Sequence, residues 1–155
     1  MTNSNQINYD IKDVADWFLS KEPMTHKKLQ KLCYYAVAWY YALSDDYLCS
    51  NCTFQSWVHG PVNPIIYEIY RDYEWCEITS SKLKPDFGKV EEFLEMIWDT
   101  YGHFTGTQLE ILTHEEDPWK NARGNLGTFD HSEAVISFED MRCYYKKVYH
   151  RGQND

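Results

Sequence analysis

Three short stretches of this 155-residue chain carry side chains that could do chemistry. Cys49-Ser-Asn-Cys52 has the spacing that lets two thiolates meet one metal ion at about 2.3 Å, or form a redox pair. A structural zinc site needs four ligands, and no second pair follows in the sequence. His114-Glu115-Glu116-Asp117 sets an imidazole beside three carboxylates, which could hold a divalent cation or serve acid–base catalysis. The same acids directly precede Pro118, so they equally suit the positive N-terminal end of a following helix, which is the favoured reading. His59 stands beside Gly60 without a serine or cysteine nucleophile in a recognisable motif, and backbone partners are expected to satisfy it. The residues therefore ask for no cofactor and no metal, and for a binding module before an enzyme.

The elements that must position these groups are mostly helices. Ile11, Val14, Ala15, Phe18 and Leu19 recur at helical spacing, and Lys-Glu-Pro stops that segment. Thr25 is placed to cap the next helix, whose Leu29, Leu32, Cys33, Ala36, Val37 and Tyr40 repeat the pattern. Its other side (Tyr34, Tyr35, Ala38, Trp39, Tyr41, Ala42) is also apolar or aromatic, which predicts a buried central helix whose tyrosine hydroxyls need partners. Residues 54–59 alternate and predict one short strand, ended by Gly60 and Pro61. Asn63 caps and Pro64 opens a further helix with Ile65, Ile66, Ile69, Tyr70 and Tyr73 inward. Val90, Phe93, Leu94, Ile97, Trp98 and Tyr101 predict an amphipathic helix with Glu91, Glu92, Glu95 and Asp99 on its outer face. Thr105 with Gln108 forms a capping box, and Ser137 with Asp140 a looser capping pair for a last helix carrying Phe138, Met141, Tyr145 and Val148 inward. The expected fold is mainly α: a compact single domain over residues 1–155 around a buried central helix, with a short β element before the Gly-Pro-Val-x-Pro joint.

Charge narrows the partners. The net charge is −9, and residues 86–117 hold nine acids against Lys89 alone. Nucleic-acid binders draw affinity from basic surfaces, so nucleic acid is not the expected partner. The basic stretch "KEPMTHKKLQK" reads as a solvated helix start. No segment approaches the roughly 20 apolar residues of a membrane span, and the N-terminus lacks the order of a signal peptide. The expectation is a cytoplasmic protein whose five cysteines are small buried hydrophobes without disulfides.

Three motifs in register carry a resemblance. Leu29-Gln30-Lys31-Leu32 followed by aromatics, then Trp57 with Gly60-Pro61-Val62-Asn63-Pro64 and Tyr67, then Thr113-His114-Glu115-Glu116-Asp117-Pro118-Trp119, resemble the Panacea domain. That domain occurs in phage-associated proteins and in antitoxins of bacterial toxin–antitoxin systems. Val37 stands where many members have glutamine. The resemblance implies a small helical domain that binds and neutralises a cognate toxin, encoded beside it; one relative delivers its toxin to a protease. A small metal-assisted hydrolase at His114–Asp117 is the enzymatic alternative. The motif residues are expected to be mainly structural, with Glu91, Glu92, Glu95 and Asp99 as the partner-binding face and Glu115, Glu116 and Asp117 as a second acidic edge.

Overall fold

The structure, a computed structural model, describes residues 9–80 and 83–154. In chain order it contains α1 (Ile11–Leu19), β1 (Met24–Thr25), α2 (His26–Ser44), β2 (Gln55–Trp57), β3 (Gly60–Val62), α3 (Pro64–Tyr70), β4 (Glu77–Ile78), α4 (Glu91–Tyr101), α5 (Gly106–His114), α6 (Asp117–Arg123) and α7 (Phe138–Asn154). Helix dominates, as the periodic stripes require.

The caps follow the sequence. Asp10 and Asp13 close a capping box on α1, Thr25 Oγ1 accepts the Lys28 N–H at 3.2 Å, and Thr105 with Gln108 boxes α5. The Ser137 hydroxyl accepts the Asp140 N–H at 2.9 Å at the start of α7. Around α2 pack α1, α4, α5, α7 and β3. Its residues from His26 to Ala38, with Ala42, are buried apart from Lys27 and Lys28, while Trp39, Tyr40 and Tyr41 emerge partly and Leu43 is exposed. A helix so enclosed has no polar face to spare, so its hydroxyls are satisfied inside the core: Tyr35 reaches Glu116, and Tyr34 lies 3.1 Å from the Tyr145 hydroxyl.

Two differences from the sequence reading have simple causes. Gly60 and Pro61 do not end a single strand. Gly60 has φ +107°, which turns the chain out of Val58–His59 into a second strand, and the pairs Gln55↔Val62 and Trp57↔Gly60 make a hairpin. A second two-stranded ladder, Met24↔Ile78 and Thr25↔Glu77, is too short to leave a period in the sequence. In α3 only Ile66 and Tyr70 are buried; Ile65, Ile69 and Tyr73 are 43 %, 41 % and 38 % exposed. A seven-residue helix covered by α1 and α2 on one side hides one strip, and Ile65 and Ile69 lie one residue round from it.

Asn63 welds the joint. Its Oδ1 accepts the Ile65 and Ile66 N–H groups at 3.0 and 3.1 Å, its Nδ2 donates to the Asn51 and Thr53 carbonyls, and its N–H donates to Gln30 Oε1 at 2.8 Å. Asn63→Ala loses the cap and strands two carbonyls, so it should cost about 2–3 kcal/mol. A urea titration should show a lowered midpoint with an unchanged slope; an unmoved midpoint would make Asn63 dispensable.

Candidate functional site

The three sequence motifs meet at the joint. Gln30 Nε2 donates to the Asn63 carbonyl at 3.1 Å and to His26 Nε2 at 3.0 Å, and Lys31 Nζ donates to the Pro61 carbonyl at 3.3 Å. From the third motif, Trp119 Nε1 donates to the Trp57 carbonyl at 2.8 Å, and Thr113 Oγ1 would lie 3.0 Å from a Cβ on Gly60. His114 stacks on Trp119 with centroids 4.0 Å apart, and burial lowers its pKa. Leu29, Leu32, Val62, Pro118 and Trp119 are buried, and Tyr67 sets its ring 4.8 Å from that of Trp57. Pro64 opens α3 beneath this node.

Lys31 departs from the sequence reading. The lysines of "KEPMTHKKLQK" were expected on a solvated helix start, but Lys31 is 1 % exposed, and burial pushes its pKa down to about 7. Lys27 pairs with Glu110 at 2.7 Å, and Lys28 donates to the Gly102 carbonyl at 2.6 Å. The charge-free run of α2 begins only at Leu32, one residue after Lys31, so nothing local marked this lysine as interior. His59 also differs: its Nδ1 meets the Glu110 carboxylate at 3.0 Å, because the hairpin turn brings it over α5.

Beside the node opens a cleft of about 390 Å³. Its walls are α2 (His26, Lys27, Gln30, Lys31), the hairpin (Trp57, His59, Val62) and α3 with the turn after it (Tyr67, Arg71, Glu74, Trp75). Nothing in the sequence marked Arg71, Glu74 and Trp75 as neighbours of Lys31; the hairpin and the ladder of Met24–Thr25 with Glu77–Ile78 bring them together.

The acidic segment is partly neutralised within the fold. Glu91 receives Lys84 at 3.0 Å and the Trp17 indole N–H at 3.2 Å, which together hold its carboxyl below the usual range. Glu95 receives Lys21 at 2.7 Å. Glu92 and Asp99 are exposed on α4, and Glu115 and Asp117 are exposed between α5 and α6. Glu116 is not part of an acidic edge. It is 8 % exposed, its Oε1 accepts the Tyr35 and Tyr145 hydroxyls at 2.8 Å each, and burial raises its pKa to about 7. Its place beside Pro118 made it look like a helix-start carboxylate; the tyrosines of α2 and α7 claim it instead.

Other candidate groups are placed as follows. The four side chains of His114–Asp117 diverge, two outward and two into different packing environments. Among the described residues no three His, Cys, Asp or Glu side chains are placed to hold a metal ion. Cys33, Cys49 and Cys52 are buried, whereas Cys76 and Cys143 are exposed, against the expectation of five buried thiols. A hydrogen bond between the two thiols raises Cys49 and lowers Cys52. Arg123, which the sequence reading missed, is buried over the Trp119 ring and donates to the carbonyls of Ser56, Gly127, Thr128 and Asp130, pinning the loop that follows α6. No described helix is long and apolar enough to cross a membrane.

No curated protein and no solved structure matches the chain. The family described as antitoxin SocA-like, Panacea domain, matches residues 29–120, a span that holds all three motifs of the node and both walls of the hairpin. With more than half of its length matched, this chain belongs to the SocA-like antitoxin Panacea-domain family.

Proposed function

We propose that this protein is a cytoplasmic antitoxin that neutralises a cognate toxin, encoded beside it, by direct protein–protein contact. The observation that carries the reading is the family match across residues 29–120. The contacts of Gln30, Asn63, Thr113 and Trp119 support a mainly scaffolding role for the motif residues, so toxin recognition is assigned to exposed surface. Glu92 and Asp99 on α4, flanked by the paired Glu91 and Glu95, with Glu115 and Asp117 beyond α5, offer acidic surface. Toxins that act on nucleotides or nucleic acids need a cationic working surface, and an acidic cover is electrostatically matched to one. Such matching raises association rates and selects partners, while buried anchors slow dissociation.

Expression of the neighbouring gene alone should arrest growth, and co-expression of this chain should restore it in hosts with and without ATP-dependent proteases. Rescue confined to protease-competent hosts would favour delivery to a protease over direct inhibition. No arrest, or no rescue in either host, would end the antitoxin reading.

A further inference from the structure

The cleft beside the joint has a buried cation at its base and aromatic walls. Its volume, about 390 Å³, lies in the range of small-molecule sites, roughly 300–1,000 Å³. At its base Lys31 is 1 % exposed, yet its ammonium, which has three hydrogens to donate, has the Pro61 carbonyl at 3.3 Å as its hydrogen-bond acceptor. The nearest acid acting on it, Glu110, is already committed to Lys27 at 2.7 Å and His59 at 3.0 Å. A buried cation with no carboxylate in contact is costly to fold around, and such groups in clefts cluster at functional sites. The mouth is aromatic: Trp75 is 70 % exposed, with Lys27 Nζ 5.5 Å from its ring centroid and the His59 ring edge-on at 6.1 Å. Trp57 and Tyr67 form a T-shaped pair further in, with centroids 4.8 Å apart.

We infer that this cleft binds a small aromatic monocarboxylate, with its carboxylate received by Lys31 and its ring held among Trp57, Tyr67 and Trp75. The charge balance selects the monoanion. Lys27 is paired with Glu110 at 2.7 Å and Arg71 with Glu68 at 3.4 Å, which leaves Lys31 as the lining cation without a carboxylate in contact, so a single negative charge matches it and a phosphate dianion exceeds it. The rings select a planar partner, because aromatic faces and edges are what the walls offer. This site stands whether or not the protein neutralises a toxin.

Proton linkage gives the test its signature. The groups facing Lys31 are His26 and Lys27 from α2, His59 from the hairpin, Arg71 and Glu74 from α3 and its turn, and Glu110 and His114 from α5. Burial lowers His26 to about 4 and lowers His114, whereas Lys31 sits at about 7 and must be protonated to receive a carboxylate.

The experiment is a calorimetric titration of the full chain with phenylacetate, phenylacetamide and inorganic phosphate as probes. Phenylacetate should bind, with affinity falling about tenfold between pH 6 and pH 8 as Lys31 loses its proton. Phenylacetamide and phosphate should bind at least about tenfold more weakly, since each misses the single charge or the ring. Lys31→Met should abolish the pH dependence and weaken binding while melting no lower than wild type, because it replaces an uncompensated cation with an apolar chain. His59→Gln should keep the pH dependence. Trp75→Ala, at a 70 % exposed position that the core does not need, should weaken phenylacetate binding even if Lys31→Met fails to fold. Equal binding of phenylacetate and phenylacetamide, no binding of phenylacetate, or phenylacetate binding untouched by Trp75→Ala would each overturn the assignment.

Discussion

Gly60→Val is expected to destabilise the protein by about 3 kcal/mol or more, from two separate defects. The backbone sits at φ +107°, where a β-branched side chain is strained. A Cβ there would also lie 2.5 Å from Lys31 Cε and 3.0 Å from Thr113 Oγ1. Lys31 cannot swing aside, because it is enclosed at the base of the cleft. Gly60→Ala keeps the Cβ clash but not the strain of a β-branched side chain, and should fall between wild type and valine. Thermal and urea unfolding measure the loss, and a valine variant that melts with wild type would show that Gly60 is an ordinary turn residue.

Glu116→Ala is the second large effect, at about 3–5 kcal/mol, because it empties a buried site, strands the Tyr35 hydroxyl inside a stacked aromatic cluster and leaves Tyr145 only the Tyr34 hydroxyl at 3.1 Å. Glu116→Gln keeps an accepting oxygen without the charge and should separate size from ionisation. The folded pKa of Glu116 is raised from 4.5 to about 7, so the fold binds this proton more tightly than the unfolded chain does. Its contribution to stability is therefore complete below pH 4.5 and is lost as pH rises through 7. Lys31, lowered from 10.5 to about 7, runs the other way, losing stability as pH falls toward 7. His26, lowered from 6.5 to about 4, does so at more acidic pH. The difference between Glu116→Gln and wild type isolates the carboxylate: near zero at pH 5, and in favour of the glutamine variant at pH 8. A difference that does not change with pH would show Glu116 to be an ordinary carboxylate.

Local rules carried a large part of the fold. Thr25, Asn63, Thr105 and Ser137 each cap the helix their spacing assigns, because a cap depends on residues three apart and on nothing distant. The buried central helix follows from its lack of a polar side. What stayed hidden depends on tertiary placement. Whether Ile66 or Ile65 faces inward is decided by where α1 and α2 lie, and whether Gly60 ends a strand or begins one is decided by its φ. The site was less legible than the fold for the same reason. Glu116 and Lys31 are charged residues that look like surface in sequence, and only the tyrosines of α2 and α7 and the carbonyl of Pro61 show that both are interior. The acidic helix face was legible as a face, but the lysines that neutralise Glu91 and Glu95 come from residues 84 and 21.

The central claim, recognition of a toxin through acidic surface, is tested most directly by the association rate of the purified chain with the product of its neighbouring gene, measured against ionic strength. The wild-type rate should fall as salt shortens the Debye length to about 8 Å at 0.15 M, and Glu92→Lys with Asp99→Lys should slow association about tenfold or more with unfolding unchanged. Both carboxylates are exposed and unpaired among the described residues, so reversing them disturbs no ion pair of the fold. A double variant that associates as fast as wild type, with no salt dependence in either, would contradict the claim and move the contact to an uncharged surface.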